Sequence, residues 1–429
     1  MEADAQNLAG AVQALREEVE ALRGCLMRAG VLSHQQYTAE VHRRRFAAVQ
    51  EQHSFGPGQQ LTDALQEGGL VERLALQYWP WEISALAPAS HASRPLARAI
   101  AAAWWSRWRA LVCICGGRTG DTWTGSMEGF DPERGTWETL PQMSTDRAGA
   151  AVAALRNQIY VCGGDDDDNN TLSSVERFDP DRSQWEVLPP MNSDRYFSAA
   201  AGLGGRLYIC GGADADGNVL STAERFDPEL DRWEVLVRMG SRRYNHAAAT
   251  VGGRLYVCGG EDDDGNTLNS LERFDPDRNL WEALPPMGST RRGLAAVALG
   301  GRLYICGGTD ADGYALSSAE RFDPELNQWE ALALMGSAQR SSVGAAVGGR
   351  LYICGGCHSQ VELTLTSVEC FDPARNLWEA QPPMNLPRVR GAAATFCMPR
   401  PTPAASCIGS PHAGRGPDGQ APVNRRRLG

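Results

Sequence analysis

The sequence predicts an all-β propeller of six blades, with four short strands in each blade. A Gly-Gly pair and a tryptophan each recur six times, at a nearly constant offset from one another. The period is about 48 residues, which lies in the range of propeller blades. The pairs begin at Gly116, Gly163, Gly211, Gly259, Gly307 and Gly355, and the tryptophans are Trp137, Trp185, Trp233, Trp281, Trp329 and Trp378.

Residues 195–239 illustrate one period. An alanine-rich run leads through Gly204 and Gly205 into Arg-Leu-Tyr-Ile-Cys, which predicts two strands joined by a tight turn, because glycine tolerates the positive φ of such a turn. A polar connection at 213–218 precedes the third strand. The predicted strands cover residues 196–203, 206–210, 221–226 and 233–236.

A turn between the third and fourth strands supports this assignment. The residue two places before each tryptophan belongs to the small turn-forming set, as expected where the chain visits the left-handed region. These residues are Gly135, Ser183, Asp231, Asn279, Asn327 and Asn376.

The motifs of this period resemble the kelch repeat. Residues 208–212 (Tyr-Ile-Cys-Gly-Gly), residues 224–228 (Glu-Arg-Phe-Asp-Pro), Trp233 and Met239 are similar to that family's double glycine, Glu-x-Tyr-Asp-Pro turn and spaced tryptophan. The resemblance covers about residues 109–397. It implies a ring of six four-stranded blades around a central channel, and we place the propeller domain at residues 108–397.

The first copy lacks its own first strand, so the ring needs a strand from elsewhere. Residues 387–396, which include the Arg388 copy of the connector, follow the last copy and can complete the first blade from the C-terminal side. The alternative is that residues 98–103 supply this strand.

The two ends of the chain differ from the repeats. Residues 1–30 carry a 4-3-4-3-4 spacing of apolar residues, which predicts a coiled-coil helix and a possible homo-oligomer; the alternative is a helix packed on the chain's own propeller. Residues 31–107 are expected to form a helical linker region. Residues 398–429, rich in Pro, Gly, Ser and Arg, are expected to be disordered. The apolar residues of the first segment are Leu8, Val12, Leu15, Val19, Leu22 and Leu26.

Composition narrows the possible functions. The net charge is −11, which disfavours nucleic acid as a partner. The chain contains no lysine, which excludes Schiff-base chemistry. No apolar run reaches the roughly 20 residues of a membrane span, and the N-terminus lacks a signal peptide. We therefore expect no membrane partner and a cytoplasmic location, with the nucleus as the alternative.

Several repeated residues could be mistaken for catalytic or metal sites. Six cysteines, such as Cys210, each precede a Gly-Gly pair, and six glutamates, such as Glu224, share one strand position, so both sets are interpreted as structural. The acidic loops, such as 262–264, resemble the start of a calcium loop but lack its later glutamate. His246 and His358 have no neighbouring ligand pair. We predict no metal, no cofactor and no enzymatic activity.

Positions that vary between the copies are the better candidates for a function. Each connector carries an arginine four residues after the methionine that ends a blade, except for Gln339 in one copy. These arginines either contribute to binding or form ion pairs with the acidic loops. The next two positions diverge. In propellers resembling this one, these loops surround the channel mouth and hold the partner peptide. The predicted partner-binding residues are Tyr196, Phe197, Tyr244, Asn245, Arg292, Arg340 and Arg390.

We therefore predict a scaffold that binds a partner protein or peptide on one face of the propeller. Arginine clamps carboxylates in a bidentate manner, which favours an acidic peptide; a mixed-charge or basic segment docked on the acidic rim is the alternative. Two other functions are kept open. One is a substrate-recruiting adaptor of a ubiquitin ligase, a role that many kelch proteins have. The other, from a different class, is a propeller enzyme with an unrecognised site.

Overall fold

The computed structural model describes residues 108–358 and 364–399. This part consists of six four-stranded antiparallel sheets, so the predicted six-bladed all-β propeller is confirmed. None of its segments forms a helix that could span a bilayer. The predicted coiled coil (1–30), the linker (31–107) and the tail from residue 400 onward lie outside the described residues. The tail was expected to begin at residue 398, but Met398 and Pro399 belong to the last strand, because they pair with the first strand of blade 1.

The strands follow one another blade by blade along the chain. Blade 1 contains β1 (Trp108–Cys115), β4 (Met127–Asp131) and β5 (Thr136–Leu140), with a small ribbon of β2 (Arg118–Thr119) and β3 (Thr122–Trp123) between them. Blade 2 contains β6 (Ala151–Leu155), β7 (Gln158–Cys162), β8 (Val175–Asp179) and β9 (Gln184–Leu188). Blade 3 contains β10 (Ala199–Leu203), β11 (Arg206–Cys210), β12 (Ala223–Asp227) and β13 (Arg232–Val235).

The second half of the ring continues this order. Blade 4 contains β14 (Ala247–Val251), β15 (Arg254–Cys258), β16 (Leu271–Asp275) and β17 (Leu280–Leu284). Blade 5 contains β18 (Ala295–Leu299), β19 (Arg302–Cys306), β20 (Ala319–Asp323) and β21 (Gln328–Ala331). Blade 6 contains β22 (Val343–Val347), β23 (Arg350–Cys354), β24 (Val368–Asp372) and β25 (Leu377–Gln381), and β26 (Ala392–Pro399) completes blade 1.

The core lies between neighbouring blades, because the second strand of each blade is apolar on both faces. In β11, Leu207 and Ile209 pack into the cluster shared with blade 2. Tyr208 and Cys210, on the other face of the strand, pack into the cluster shared with blade 4. A buried side chain of this size contributes about 1.5–3 kcal/mol, so each blade is stabilised by both of its neighbours.

The predicted turn conformations are confirmed. All six residues two places before the tryptophans have a positive φ, between 49° at Asn376 and 64° at Gly135. Each tryptophan then packs on the phenylalanine across the strand pair, as Trp185 does on Phe178 with a ring distance of 5.3 Å. Its indole N–H donates to a carbonyl of the preceding blade, at Pro141 for Trp185. The tryptophans therefore hold the outer edges of adjacent blades together.

The predicted first strand of blade 3 was too long at its start. That strand begins at Ala199 instead of Tyr196, because Phe197 has a φ of 49° and breaks the extended conformation. Tyr196 and Phe197 thus belong to the connector, where their side chains can serve a surface function.

The ring closes through the C-terminal strand. β26 pairs with β1 over eight residues, from Trp108 opposite Pro399 to Cys115 opposite Ala392. Asn157, in the first turn of blade 2, clasps this strand by donating to the carbonyl of Cys397 (2.9 Å) and accepting its N–H (2.7 Å). The inner position of blade 1 is therefore occupied by residues after the last repeat, and not by residues 98–103.

Candidate partner-binding face

Two sets of loops meet on one face of the propeller. The connector that enters each blade pairs with the residue that follows the Gly-Gly pair of the same blade, as Tyr196 does with Ala213 and Tyr244 with Glu261. The variable connectors and the loops after the second strands therefore share a surface, which we call the mouth face. It surrounds one end of the central channel.

The recurrent arginines of the connectors lie beneath this face. Arg195 is fully buried, and its guanidinium donates to the carbonyl of Gly211 (2.9 Å), to Thr222 Oγ1 (3.3 Å) and to Glu224 Oε1 (2.6 Å). Equivalent contacts recur in the other arginine connectors, at Arg147, Arg243, Arg291 and Arg388. The arginines therefore pair with the repeated strand glutamates and not with the acidic loops, and both sets have a structural role.

Blade 6 departs from this pattern at Gln339. The glutamine is fully buried, and among the described residues its Oε1 has no hydrogen-bond partner. Ser367 Oγ, which occupies the position of the serine that arginine reaches elsewhere, is also without a partner there. Glu369 keeps the hydrogen bonds from Gly336 N–H (2.7 Å) and from the Ser337 hydroxyl (2.8 Å).

A ring of backbone hydrogen bonds lies at the mouth of the channel. In five of the six connectors, the second variable residue donates its N–H to the carbonyl of the equivalent residue in the preceding connector, at 2.8–2.9 Å. All six residues have a positive φ, near 49–63°. Five such bonds join Gly149, Phe197, Asn245, Gly293, Ser341 and Arg390. Side chains, and not this bonded backbone, are therefore what the mouth offers to a ligand.

The channel itself is narrow and lined mainly by small side chains. Its cavity measures about 150 Å³ and is bounded largely by glycine, alanine and serine. His246 also contributes to the lining, where burial lowers its pKa to about 3. This histidine is therefore neutral at physiological pH.

The aromatic candidates form one cluster on the mouth face. Phe197 lies 5.3 Å from Tyr196 and 6.4 Å from Tyr244, measured between ring centroids. Arg390 stacks on the same Phe197 ring at 5.0 Å, a cation–π geometry. Because a Cβ on Gly149 would lie only 3.1 Å from the Phe197 ring, the glycine makes room for this stack.

Glu261 links two further candidates. It accepts a hydrogen bond from the Tyr244 hydroxyl (2.8 Å) and forms an ion pair with Arg292. Partial burial and the adjacent carboxylate raise the pKa of Tyr244 to about 12. Glu261 thus already balances the positive charge of Arg292, whereas the Tyr244 hydroxyl keeps its proton.

Arg340 and Arg390 differ from Arg292. No carboxylate in residues 108–358 or 364–399 forms an ion pair with either of them. Partial desolvation and the nearby guanidinium of Arg118 lower the pKa of Arg390. Arg118 itself stacks on Trp123 at 4.6 Å. A cluster of cationic side chains therefore lies where blades 6 and 1 meet.

The first aspartate of each acidic loop supports the loop itself. Asp262 accepts the backbone N–H groups of Asp264 (3.1 Å) and Asn266 (2.8 Å), and Asp214 does the same in blade 3. The carboxylates of Asp262, Asp263 and Asp264 lie within 4.8 Å of one another. This geometry agrees with the turn chemistry expected for the loops, and Asp263 and Asp264 are exposed.

All seven predicted residues lie on the mouth face, and the structure brings Tyr196, Phe197, Tyr244 and Arg390 into direct contact. Asn245 lies in the channel ring, beside Gly293. Sequence reasoning missed Arg118 and Glu261. The available signal was the position after each Gly-Gly pair, which varies as widely as the connectors: Arg118, Asp165, Ala213, Glu261, Thr309 and Cys357.

Comparison with known proteins supports the same architecture. The model of the KLHDC2/KLHL20/DRC7 Kelch-repeats domain matches residues 197–398, and the Kelch motif matches residues 146–192. No curated protein sequence matches the chain significantly.

Solved structures carry the likeness at the level of the fold. The chain is similar to the structure of YjhT, with a TM-score of 0.53 and 16% identity, over 59% of this chain and 89% of that one. In total, 926 solved chains match.

Proposed function

The chain belongs to the kelch-repeat family, and on that premise we propose that it is a scaffold that binds a partner protein or peptide on its mouth face. Kelch propellers typically act through protein interactions. The observation that carries the proposal is the contrast within each connector. A buried arginine, or Gln339 in blade 6, holds the first position, and the next two residues, which differ from blade to blade, lie at the mouth.

The composition of this face supports a binding role. Aromatic and arginine side chains contribute most of the energy at protein interfaces. Here Tyr196, Phe197 and Tyr244 form a contiguous aromatic cluster, and Arg390 lies on it. Side chains that are already stacked lose little conformational freedom when a partner binds, which favours affinity.

His246, which lines the channel, does not suit general acid–base catalysis. Burial keeps its pKa near 3, far below a useful value for a general base at neutral pH.

The test is affinity purification followed by mass spectrometry. The intact chain is compared with a triple variant, Tyr196→Ala, Tyr244→Ala, Arg292→Glu, after circular dichroism has shown that the variant is folded. The control, Leu230→Ala, Leu326→Ala, Arg182→Glu, changes two large apolar residues and one arginine, all exposed, on the turns of the opposite face.

We expect a partner that the triple variant loses and the control keeps. Retention of every partner by the triple variant would overturn the assignment of function to the mouth face. Cullin machinery among the lost or retained partners would identify the scaffold as a ubiquitin-ligase adaptor.

A further inference from the structure

Negative charge is concentrated on one side of the mouth face. Blades 2, 3 and 4 carry most of it in their connectors and in the loops after their second strands. Hydrogen bonds from their own loops lower the pKa of Asp166, Asp214 and Asp262, which keeps these groups ionised. The acidic residues are Asp146 and Asp165–Asp168 in blade 2, Asp194, Asp214 and Asp216 in blade 3, and Asp262–Asp264 in blade 4, while blade 5 adds only Asp310 and Asp312.

A cluster of arginines lies on the other side, whereas Arg242 of blade 4 is paired with Asp263 (3.7 Å). Arg340 belongs to blade 6, and Arg118 and Arg390 belong to blade 1. Arg118 and Arg340 both act to lower the pKa of Arg390, whereas Asp165 of blade 2 acts to raise it. Arg118 has an ion-pair partner in Asp121 (3.5 Å), but that carboxylate is fully exposed, so solvent screens the pair.

An ion pair within the protein lies at one boundary between the two sides. Glu261 of blade 4 and Arg292 of blade 5 neutralise each other. Across the channel mouth, Phe197 of the acidic side carries Arg390 of the cationic side on its ring. The face is therefore divided between an acidic and a cationic region, and its aromatic cluster lies between them.

We propose that the mouth face binds a peptide segment of mixed charge in one direction, with the acidic end of the segment over blades 6 and 1 and its basic end over blades 2–4. The inference rests on the proposed function and specifies its ligand. A uniformly acidic segment meets the carboxylates of three blades, and a uniformly basic one meets three arginines. Only a segment with both charges complements both regions, and electrostatic complementarity fixes orientation as well as specificity.

The first experiment selects ligands without assuming a partner. A display library of random 12-residue peptides is selected on the full chain and on two charge variants. One variant, Arg340→Glu with Arg390→Glu, reverses the cationic region. The other, Asp168→Lys with Asp264→Lys, reverses exposed carboxylates that cap no backbone N–H group in the described loops.

For the unmodified chain we expect enriched peptides with acidic residues at one end and basic residues at the other. The arginine variant should lose the preference at the acidic end alone, and the aspartate variant the preference at the basic end alone. Each variant should bind the parent peptides about tenfold more weakly. The turn variant Leu230→Ala, Leu326→Ala, Arg182→Glu should bind them as the unmodified chain does.

The second experiment tests direction. A photo-crosslinking residue placed at the basic end of an enriched peptide should label blades 2–4, and one at the acidic end should label blades 6 and 1. Peptides that bind the mouth but carry a single sign of charge, or that crosslink equally to both regions, overturn this inference and leave the proposed function intact. If no enriched peptide depends on the mouth residues, the proposed function fails and the inference fails with it.

Discussion

The connectors into blades 4 and 6 carry different buried residues at the same position of the repeat. In blade 4, Arg243 joins Gly259, Ser270 and Glu272 in one buried set of hydrogen bonds. In blade 6, Gln339 is too short to do so, and Ser367 Oγ is left without a partner among the described residues.

The difference shows that the repeated glutamate is the primary element of this arrangement. Glu272 accepts the backbone N–H of Gly240 (2.7 Å), and Glu369 accepts that of Gly336 at the same distance, with or without an arginine nearby. The carboxylate thus caps the connector in both blades. The arginine adds a second layer, which neutralises the buried charge and ties the connector to the Gly-Gly turn.

Conversion of blade 4 to the blade 6 residue should have the largest effect. Arg243→Gln leaves Glu272 buried without its cation, which costs about 3–5 kcal/mol. Urea unfolding followed by tryptophan fluorescence measures the loss as a lower midpoint. The control is the neighbouring Arg242→Gln, whose side chain is half exposed and only 3.7 Å from Asp263, and it should change stability by less than about 1 kcal/mol. Equal effects of the two variants would contradict the structural role of the buried arginine.

The connectors into blades 4 and 5 should also differ in their response to acid. His246 occupies the position held by Leu294 in the next connector, and its pKa falls from 6.5 to about 3 on burial. The unfolded chain therefore binds a proton that the folded chain rejects, and stability is lost as the pH falls from about 6.5 towards 3. His246→Leu should remove about 2–3 kcal/mol of the loss between pH 7 and 4.5. Urea midpoints at the two pH values measure it, and an unchanged pH dependence would refute the buried neutral state.

The reverse substitution in blade 6 should give a smaller gain. Gln339→Arg brings a guanidinium within reach of Ser367, Glu369 and the Gly355 carbonyl, and these contacts should add about 1–2 kcal/mol. A higher urea midpoint with the same slope is the expected result. A lower midpoint would show that the residues around Gln339 are packed for glutamine and do not accept an arginine.

The smallest effect on folding is expected at Arg390, two residues after the buried Arg388. Arg390→Ala removes an exposed side chain that stacks on Phe197 but forms no ion pair in the described residues. Its unfolding midpoint should stay within about 0.5 kcal/mol of the unmodified chain, although the variant should lose affinity for acidic ligands. A large destabilisation would move Arg390 from the binding surface to the framework.

Most of the framework could be predicted because its signals are local. Asn279 and Asp231 favour the left-handed region by their own chemistry, so the turns needed no tertiary information. The start of β10 could not be predicted this way, because Phe197 is by itself a good strand residue. Its positive φ follows from its place in the channel ring, which only the assembled blades define.

The partners of the buried arginines show the same limit. Arg195 and Glu224 are 29 residues apart, and the acidic loop at 214–216 lies nearer in sequence. Arg195 pairs with Glu224 and not with this loop because a guanidinium removed from water must find a carboxylate that is also buried. The charge division of the mouth face was present in the sequence, but it became visible only when the two sets of loops were found on one face.

The antiparallel pairing of Trp108 with Pro399 has a consequence for the topology of the ring. The propeller begins and ends at adjacent points, so the order of its blades along the chain is a matter of where the backbone is cut. A circular permutant that joins these two points and opens at Gly252-Gly253 would keep every blade four-stranded, with closure moved to blade 4. A thermal unfolding transition equal to that of the parent would show that the position of the break does not determine the stability of the ring.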